Sequence, residues 1–400
     1  ALDYLDTADD SVSSIKDTYI YPGDPGNTGK GGAHVLMAGS TSVSNLNTGY
    51  NPFRSLLSFT LPELESGDQV TYAELNLFSY HNTTEWTPPT TNIQIDVHKM
   101  TSSWTEANAY WSTHKDKYNS RIIDYFNYLY SSSDPNKKYT ADITSVVKDW
   151  YVNGNNYGIM LKEHTEANIT GRHEAWFLSS NTNIAYLSKR PGIIIQYRNQ
   201  TGLEGYLTTH TQDIGRTVVN TNDYNGNLTL THYDTKTPGT RFPIAISHVY
   251  NTNDALLKET STTNEDLRNI GYGNGFRLNI SQTIKLTTMD GIEYAKYIDE
   301  DGTRHYFYKD GTTYKDEDGL GLTLTLSGTV FTMKDKDGNI STFNKINNTY
   351  HLKTIKDTSN NIITINYTGE LITSVVDGAG DTLTLTYTNN LLSKITNKEG

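Results

Sequence analysis

The side chains best suited to holding a ligand in this 400-residue chain are its five tryptophans and 29 tyrosines. A flat π-surface matches the C–H face of a sugar ring, so an aromatic residue exposed in a polar loop is a candidate stacking platform. Trp86, in "HNTTEWTPPTT", fits that description first, and Trp176 and Tyr110 are further candidates for carbohydrate binding. Glycoside hydrolysis would need two carboxylates flanking the scissile bond. With 45 acidic residues some pair lies close by chance, and none stands out. The runs "DEDGTRHYFYKD" and "DKDGNISTFNKI" open like calcium loops but carry no Glu at the twelfth position. Hairpin turns are favoured there; structural calcium stays open, and no other cofactor is expected. "GYGNG" (271–275) leads into an alternating stretch and reads as a turn, not a phosphate cradle. "HEAWF" (173–177) lacks the second His of a zinc-protease helix, and no Gly-x-Ser-x-Gly occurs. No active site assembles from these residues. A non-enzymatic role is expected, with a polysaccharide-degrading enzyme or a protein-binding adhesin as the alternatives.

Whatever positions these side chains is built mostly from strands. Thr, Asn, Gly and Tyr are abundant, and long helix-forming runs are missing. Hydrophobic residues make up 35% and aromatics 11%, enough to bury a core. A net charge of −12 without any Lys/Arg cluster speaks against nucleic acid as a partner. No apolar run is long enough for a membrane-spanning helix. The absence of cysteine excludes disulfides and thiolate sites. The first residue is Ala, from which a removed signal or an internal start is expected.

All five tryptophans and eight of the ten prolines precede residue 200, which places a boundary there. Before it, "SLLSFTL" (55–61), "AELNLFSY" (73–80) and "NIQIDVHK" (92–99) alternate with a period near two, as half-buried strands of a β-sandwich would. One segment breaks that period. Ile143, Val146, Val147 and Trp150 follow helical spacing, with Asp142 at the N-cap and Gly154 as the stop.

The segments "KDTYI" (16–20), "FRSLLSFTLPEL" (53–64), "VTYAELNLF" (70–78), "WTEANAYW" (104–111), "DITSVVKDWYVNGNNYGIML" (142–161) and "PGIIIQY" resemble, in that order, the DNRLRE domains. The resemblance covers about 17–198. It implies a jelly-roll-like sandwich related to carbohydrate-binding modules in extracellular proteins. On this pattern Arg54 braces the sandwich, Trp104, Trp111 and Trp150 pack within it, and Glu106 belongs to a structural turn. The spacer between Trp111 and Asp142 departs from a compact version and is expected to hold an inserted loop.

After residue 200 short strands alternate with Asp-Gly turns. Asp357, Asp377 and Asn397 stand 20 apart, as do Tyr367 and Tyr387. Ile363, Ile365 and Tyr367 share one strand face, and Leu383, Leu385 and Tyr387 repeat it. A single hairpin cannot bury its apolar face, so a period of this length means stacked strands. These units resemble the YD repeats of RHS proteins, as do "FPIAISHVYN" (242–251) and "GYGNGFRLNISQ" (271–282). That resemblance implies a coiling β-shell around a C-terminal toxin or effector, secretion or cell-wall association, and downstream repeat and effector domains as partners. The expected organisation is all-β. It comprises a leader segment over 1–16, a sandwich over 17–199 that binds cell-wall or other extracellular polysaccharide, a connecting segment over 200–270, and repeats over 271–400.

Overall fold

A strand whose side chains alternate between two environments needs a partner layer on its apolar face. In the computed structural model this is met separately in two units, residues 2–63 with 70–197 and residues 64–69 with 198–400. The structure describes residues 2–5, 15–24, 30–42, 50–64, 67–81, 92–166, 172–205, 207–255, 271–289, 292–316 and 319–397. The chain is all-β, with only short helices among the described residues.

The first unit is a sandwich. Its larger, seven-stranded sheet runs in the order Arg172–Leu178, Val35–Ser42, Tyr50–Phe59, Ile159–Glu163, Ile93–Met100, Tyr118–Tyr128. The remaining strand, Ile15–Ile20, pairs with Tyr50–Phe59 where Val35–Ser42 no longer does. Leu2–Leu5, Gly192–Asn199, Asp68–Phe78 and Lys138–Asp142 form the four-stranded sheet opposite. Between the sheets, Phe126, Tyr128, Tyr139 and Phe177 pack ring on ring, with centroids 5.2–6.1 Å apart.

The larger sheet is covered on its other face too. Ile20, Leu56, Met100 and Met160 meet Trp104 and Ala109 from the loop 101–110, so residues 51–59 are buried without interruption. The strand expected at 55–61 to be half-buried is therefore covered on both sides. A second correction concerns the spacer after Trp111. Tyr118–Tyr128 is an 11-residue edge strand paired with Ile93–Met100, leaving only 129–137 as the connection to Lys138–Asp142. "DYFNYLY" carries aromatic residues favourable to a strand: Phe126 and Tyr128 turn into the core, while Tyr125 on the other face is exposed.

The helix runs Thr144–Asn153 and buries Val146, Val147 and Trp150. Its boundary residue is Ile143, one position later than expected. Asp142 still caps from outside: its Oδ1 accepts the Thr144 N–H at 2.9 Å. Gly154 closes the helix at φ 69°, a left-handed conformation that glycine adopts without a Cβ clash.

The second unit holds a five-stranded sheet, Thr209–Ile214 through Phe276–Leu278, and a twelve-stranded sheet, Thr283–Met289 through Leu391–Thr396. All twelve strands follow chain order as successive hairpins. The first of them also pairs with the eighth, Thr349–Lys356, through Thr283↔His351 and Ile284↔Tyr350. Eight strands thereby close a ring, and four more continue from it. A ring of this size has room inside for side chains and little else. Phe307, Phe331, Phe343, Tyr297, Tyr314 and Tyr350 fill it, with Tyr297 and Phe343 meeting at 5.9 Å and Phe331 and Tyr350 at 4.7 Å.

The last repeats alternate two turn types. One end of the sheet has two-residue hairpins with positive φ at Asn347, Gly369, Asn389 and Asn390. The other end has turns closed by Asp335, Asp357 and Asp377. In each, the carboxylate Oδ1 accepts the N–H groups two and four residues ahead at 2.8–2.9 Å. From Asp357 the next strands pair for three residues, Lys356↔Ile362 to Thr354↔Thr364, and then splay. The Tyr367 hydroxyl fills the splay by donating to the Leu352 carbonyl at 2.8 Å. Tyr387 does the same to Ile372 at 2.9 Å, one repeat on.

Candidate functional site

Strand geometry puts residues i and i+2 on one face, so Tyr19 and Tyr21 lie side by side where Ile15–Ile20 runs out. Their rings stack at 6.0 Å, and Phe53 from the neighbouring strand stacks on Tyr21 at 5.1 Å. Glu174 is linked to this group electrostatically: its charge, with those of Tyr21 and Asp24, adds to the burial that raises the Tyr19 pKa. Trp176, two residues on along the same strand, donates its indole N–H to Glu174 at 2.9 Å. Opposite Glu174 stands Gly39, at φ 135°, where a Cβ would lie 2.2 Å from the His173 carbonyl. Only glycine fits there, so no side chain screens the carboxylate from that strand.

Burial raises the Glu174 pKa, and the hydrogen bond from Trp176 opposes the rise. Tyr19, Tyr21 and Trp176 are half-buried, so each keeps part of its surface for a ligand. Aromatic surface beside a carboxylate acceptor is the chemistry of sugar recognition, with rings for the C–H face and an oxygen for the hydroxyls.

The other expected residues lie elsewhere. Tyr110 precedes the short helix Trp111–His114, half-buried, with its hydroxyl donated to Ala107 at 2.8 Å. Trp86 lies outside the described residues. Trp104 is buried and donates to the Tyr157 carbonyl at 2.9 Å; Trp150 faces the core from its helix. Arg54 is 8% exposed. Its Nε and Nη2 hold both oxygens of Glu166 at 2.7 and 2.6 Å, Nη1 reaches the Lys115 carbonyl, and Trp111 stacks on the guanidinium at 4.8 Å. So engaged, Arg54 has little left to offer a ligand. A separate concavity of about 290 Å3, lined by Lys99, Asn119, Arg121, Ser145 and Asp149 among others, has no aromatic ring in its wall.

In the second unit, the Asp turns are occupied by the chain itself. Asn361 donates to Asp357 Oδ2 at 2.7 Å and, with the turn N–H groups, holds that carboxyl below the usual range. Asp299 takes three N–H groups, from Asp301, Gly302 and Thr303, on one oxygen. Its other oxygen meets His305 Nε2 at 2.9 Å, and Glu204 meets the same nitrogen at 3.2 Å. Among the described residues this is the group of three potential metal ligands with all ligand atoms within 4.8 Å. Burial drives the Asp299 carboxyl well up, Asp301 adds to it, and His305 opposes it. The one imidazole nitrogen is thus shared by the two acids, which joins the three groups without an ion.

Sequence reasoning reached Trp176 but missed Tyr19, Tyr21, Phe53 and Glu174. The signal available was the spacing in "TYIYPG", two tyrosines at i and i+2 at the end of a strand.

Comparison with known families supports a carbohydrate-binding-module-like domain in the first unit. The profile of carbohydrate-binding module family 96 matches residues 8–185 of the chain. That family is a family of binding modules and not of catalysts. No curated protein matches the chain.

Proposed function

We propose that the first unit attaches the protein to an extracellular polysaccharide through the surface formed by Tyr19, Tyr21, Phe53, Trp176 and Glu174. Tyr110 serves as a further contact in this reading, and Trp86 is a candidate on its sequence context alone. The observation that carries it is the pairing of half-exposed rings with a recessed carboxylate inside the span matched by the carbohydrate-binding family. The second unit is the opening stretch of a YD-type repeat array of an RHS-like protein. Secretion or cell-wall association follows, as does a role in enclosing a downstream effector. The support here is the recurrence, 20 residues apart, of the same tyrosine-to-carbonyl bond and the same Asp turn.

Affinity electrophoresis of the whole chain in gels cast with neutral and acidic polysaccharides tests the attachment. Retardation by at least one polysaccharide is expected, with the double variant Tyr21→Ala, Trp176→Ala losing it. Undiminished retardation of that variant would move the site elsewhere. Release of reducing ends from the retained polysaccharide would replace the binding role by an enzymatic one.

A further inference from the structure

Residues that face each other across two antiparallel strands bring their side chains together. In the five-stranded sheet of the second unit this sets Thr217, His232 and His248 in one row, with His232 between the other two. The rings of His232 and His248 stand 5.0 Å apart, centroid to centroid, and Phe276 flanks His248 from the next strand at 5.8 Å. Both histidines are half-buried. The strand Leu228–Lys236 bulges just beyond His232: Tyr233 pairs with Ser247 and Thr235 with Ile246, which leaves Asp234 as the extra residue. A bulge re-aims a side chain. Here it delivers the Asp234 carboxylate to His248, whose Nδ1 meets both oxygens at 2.8 Å. Arg216 pins the bulge, donating to the Asp234 carbonyl and lying over the Tyr233 ring at 5.0 Å.

Each ring commits Nδ1 to the protein. An ionised carboxylate only accepts, so a neutral His248 donates from Nδ1 and carries its lone pair on Nε2. Thr217 Oγ1, 2.7 Å from His232 Nδ1, can accept in the same way. A metal-ligating histidine is held in this manner, by an acceptor on the nitrogen that does not meet the ion. Two imidazoles on one ion, bonded at about 2.0–2.1 Å in tetrahedral geometry, set their centroids about 5 Å apart. The spacing of His232 and His248 meets that requirement. His210 does not share the arrangement: Asp223 meets its Nδ1 at 3.1 Å, but Thr221 stands opposite in place of a second ring. His305 differs too, since its Nε2 is already shared by Asp299 and Glu204.

We propose that His232 and His248 form a two-histidine seat for a divalent transition ion of the zinc, nickel and copper class, coordinated through Nε2 of each ring. Imidazole nitrogen suits these ions, whereas calcium and magnesium take oxygen. Asp234 and Thr217 are positioning residues. They fix which nitrogen faces the ion, and the Asp234 charge makes the imidazole it holds a stronger donor. Two protein ligands leave the remaining positions on the ion to water or to a donor atom of a bound molecule.

The test uses the whole chain, freed of metal with EDTA, dialysed, and titrated with zinc chloride in a calorimeter. A saturable site in the micromolar range is expected. His232→Gln and His248→Gln should each abolish it. Asp234→Asn keeps an acceptor but loses the charge, and should weaken zinc binding about tenfold. His210→Gln should bind zinc as the unaltered chain does. One measurement needs no variant: zinc should protect His232 and His248 from diethylpyrocarbonate, as located by peptide mass spectrometry, and it decides the matter if the altered chains do not fold. Absence of the site in the unaltered chain, full affinity in any of the three site variants, equal loss in His210→Gln, or protection of other histidines instead would overturn the assignment.

Discussion

Arg54 in the first unit reaches Glu166, 112 positions along the chain, and among the described residues of that unit nothing repeats that bond. Tyr367 and Tyr387 in the second unit each reach back 15 positions to make one and the same bond, to Leu352 and to Ile372. The two units meet the same need, satisfying buried polar groups, by different means. One uses single contacts that close long loops; the other stamps a local contact repeatedly. A long-range contact orders more chain per bond, and its loss is felt at one place that nothing duplicates. A stamped contact has neighbours that remain when one copy goes, as in other repeat architectures.

That contrast gives graded expectations. Arg54→Met strands the Glu166 carboxylate and the Lys115 carbonyl together, and should destabilise the first unit by about 3 kcal/mol. Urea titration followed by tryptophan fluorescence measures it; a change under a third of that would mean the brace is redundant. Tyr367→Phe and Tyr387→Phe each leave one buried carbonyl without its donor, at a cost of about 1–2 kcal/mol. The two costs should agree closely, because the bonds are copies. Circular dichroism melts of the two variants decide this, and a large inequality would break the idea of equivalent rungs. The smallest effect belongs to the hairpin at Asn389 and Asn390, with φ of 53° and 62°. Asn390→Gly relieves a left-handed asparagine and should raise stability by about 0.5 kcal/mol. A loss in the same melt would show that the asparagine side chain does more than tolerate the turn.

The same contrast explains what could be read in advance. Ile363, Ile365, Leu383 and Leu385 are visible as core residues because their spacing recurs, and all four are buried in one cluster. The Asp turns are visible too, since Asp357 and Asp377 stand 20 apart and Asp335 opens the Asp-Gly run "DKDG". In the first unit, alternation reveals the strands at 55–61, 73–80 and 92–99 but not the second cover over the strand at 55–61. That cover comes from Trp104 and Ala109, brought over the sheet by a loop with no periodic signal. The recess of Glu174 is not written in local pattern. It depends on which strands meet, and a lone residue type carries no trace of that.

The strand Thr349–Lys356 divides its edge between two neighbours. Tyr350 and His351 shut the ring against Ile284 and Thr283, while Thr354 to Lys356 pair outward with the next repeat. In the language of crystals this is a dislocation, a line where a closed lattice row slips over into an open one. The aromatic filling around Phe307, Phe331 and Phe343 runs on without a break into the apolar face of the open rungs, through Ile365 and Val375 to Leu385. The defect thus joins a closed sheet to an open one without a gap in the core that both share.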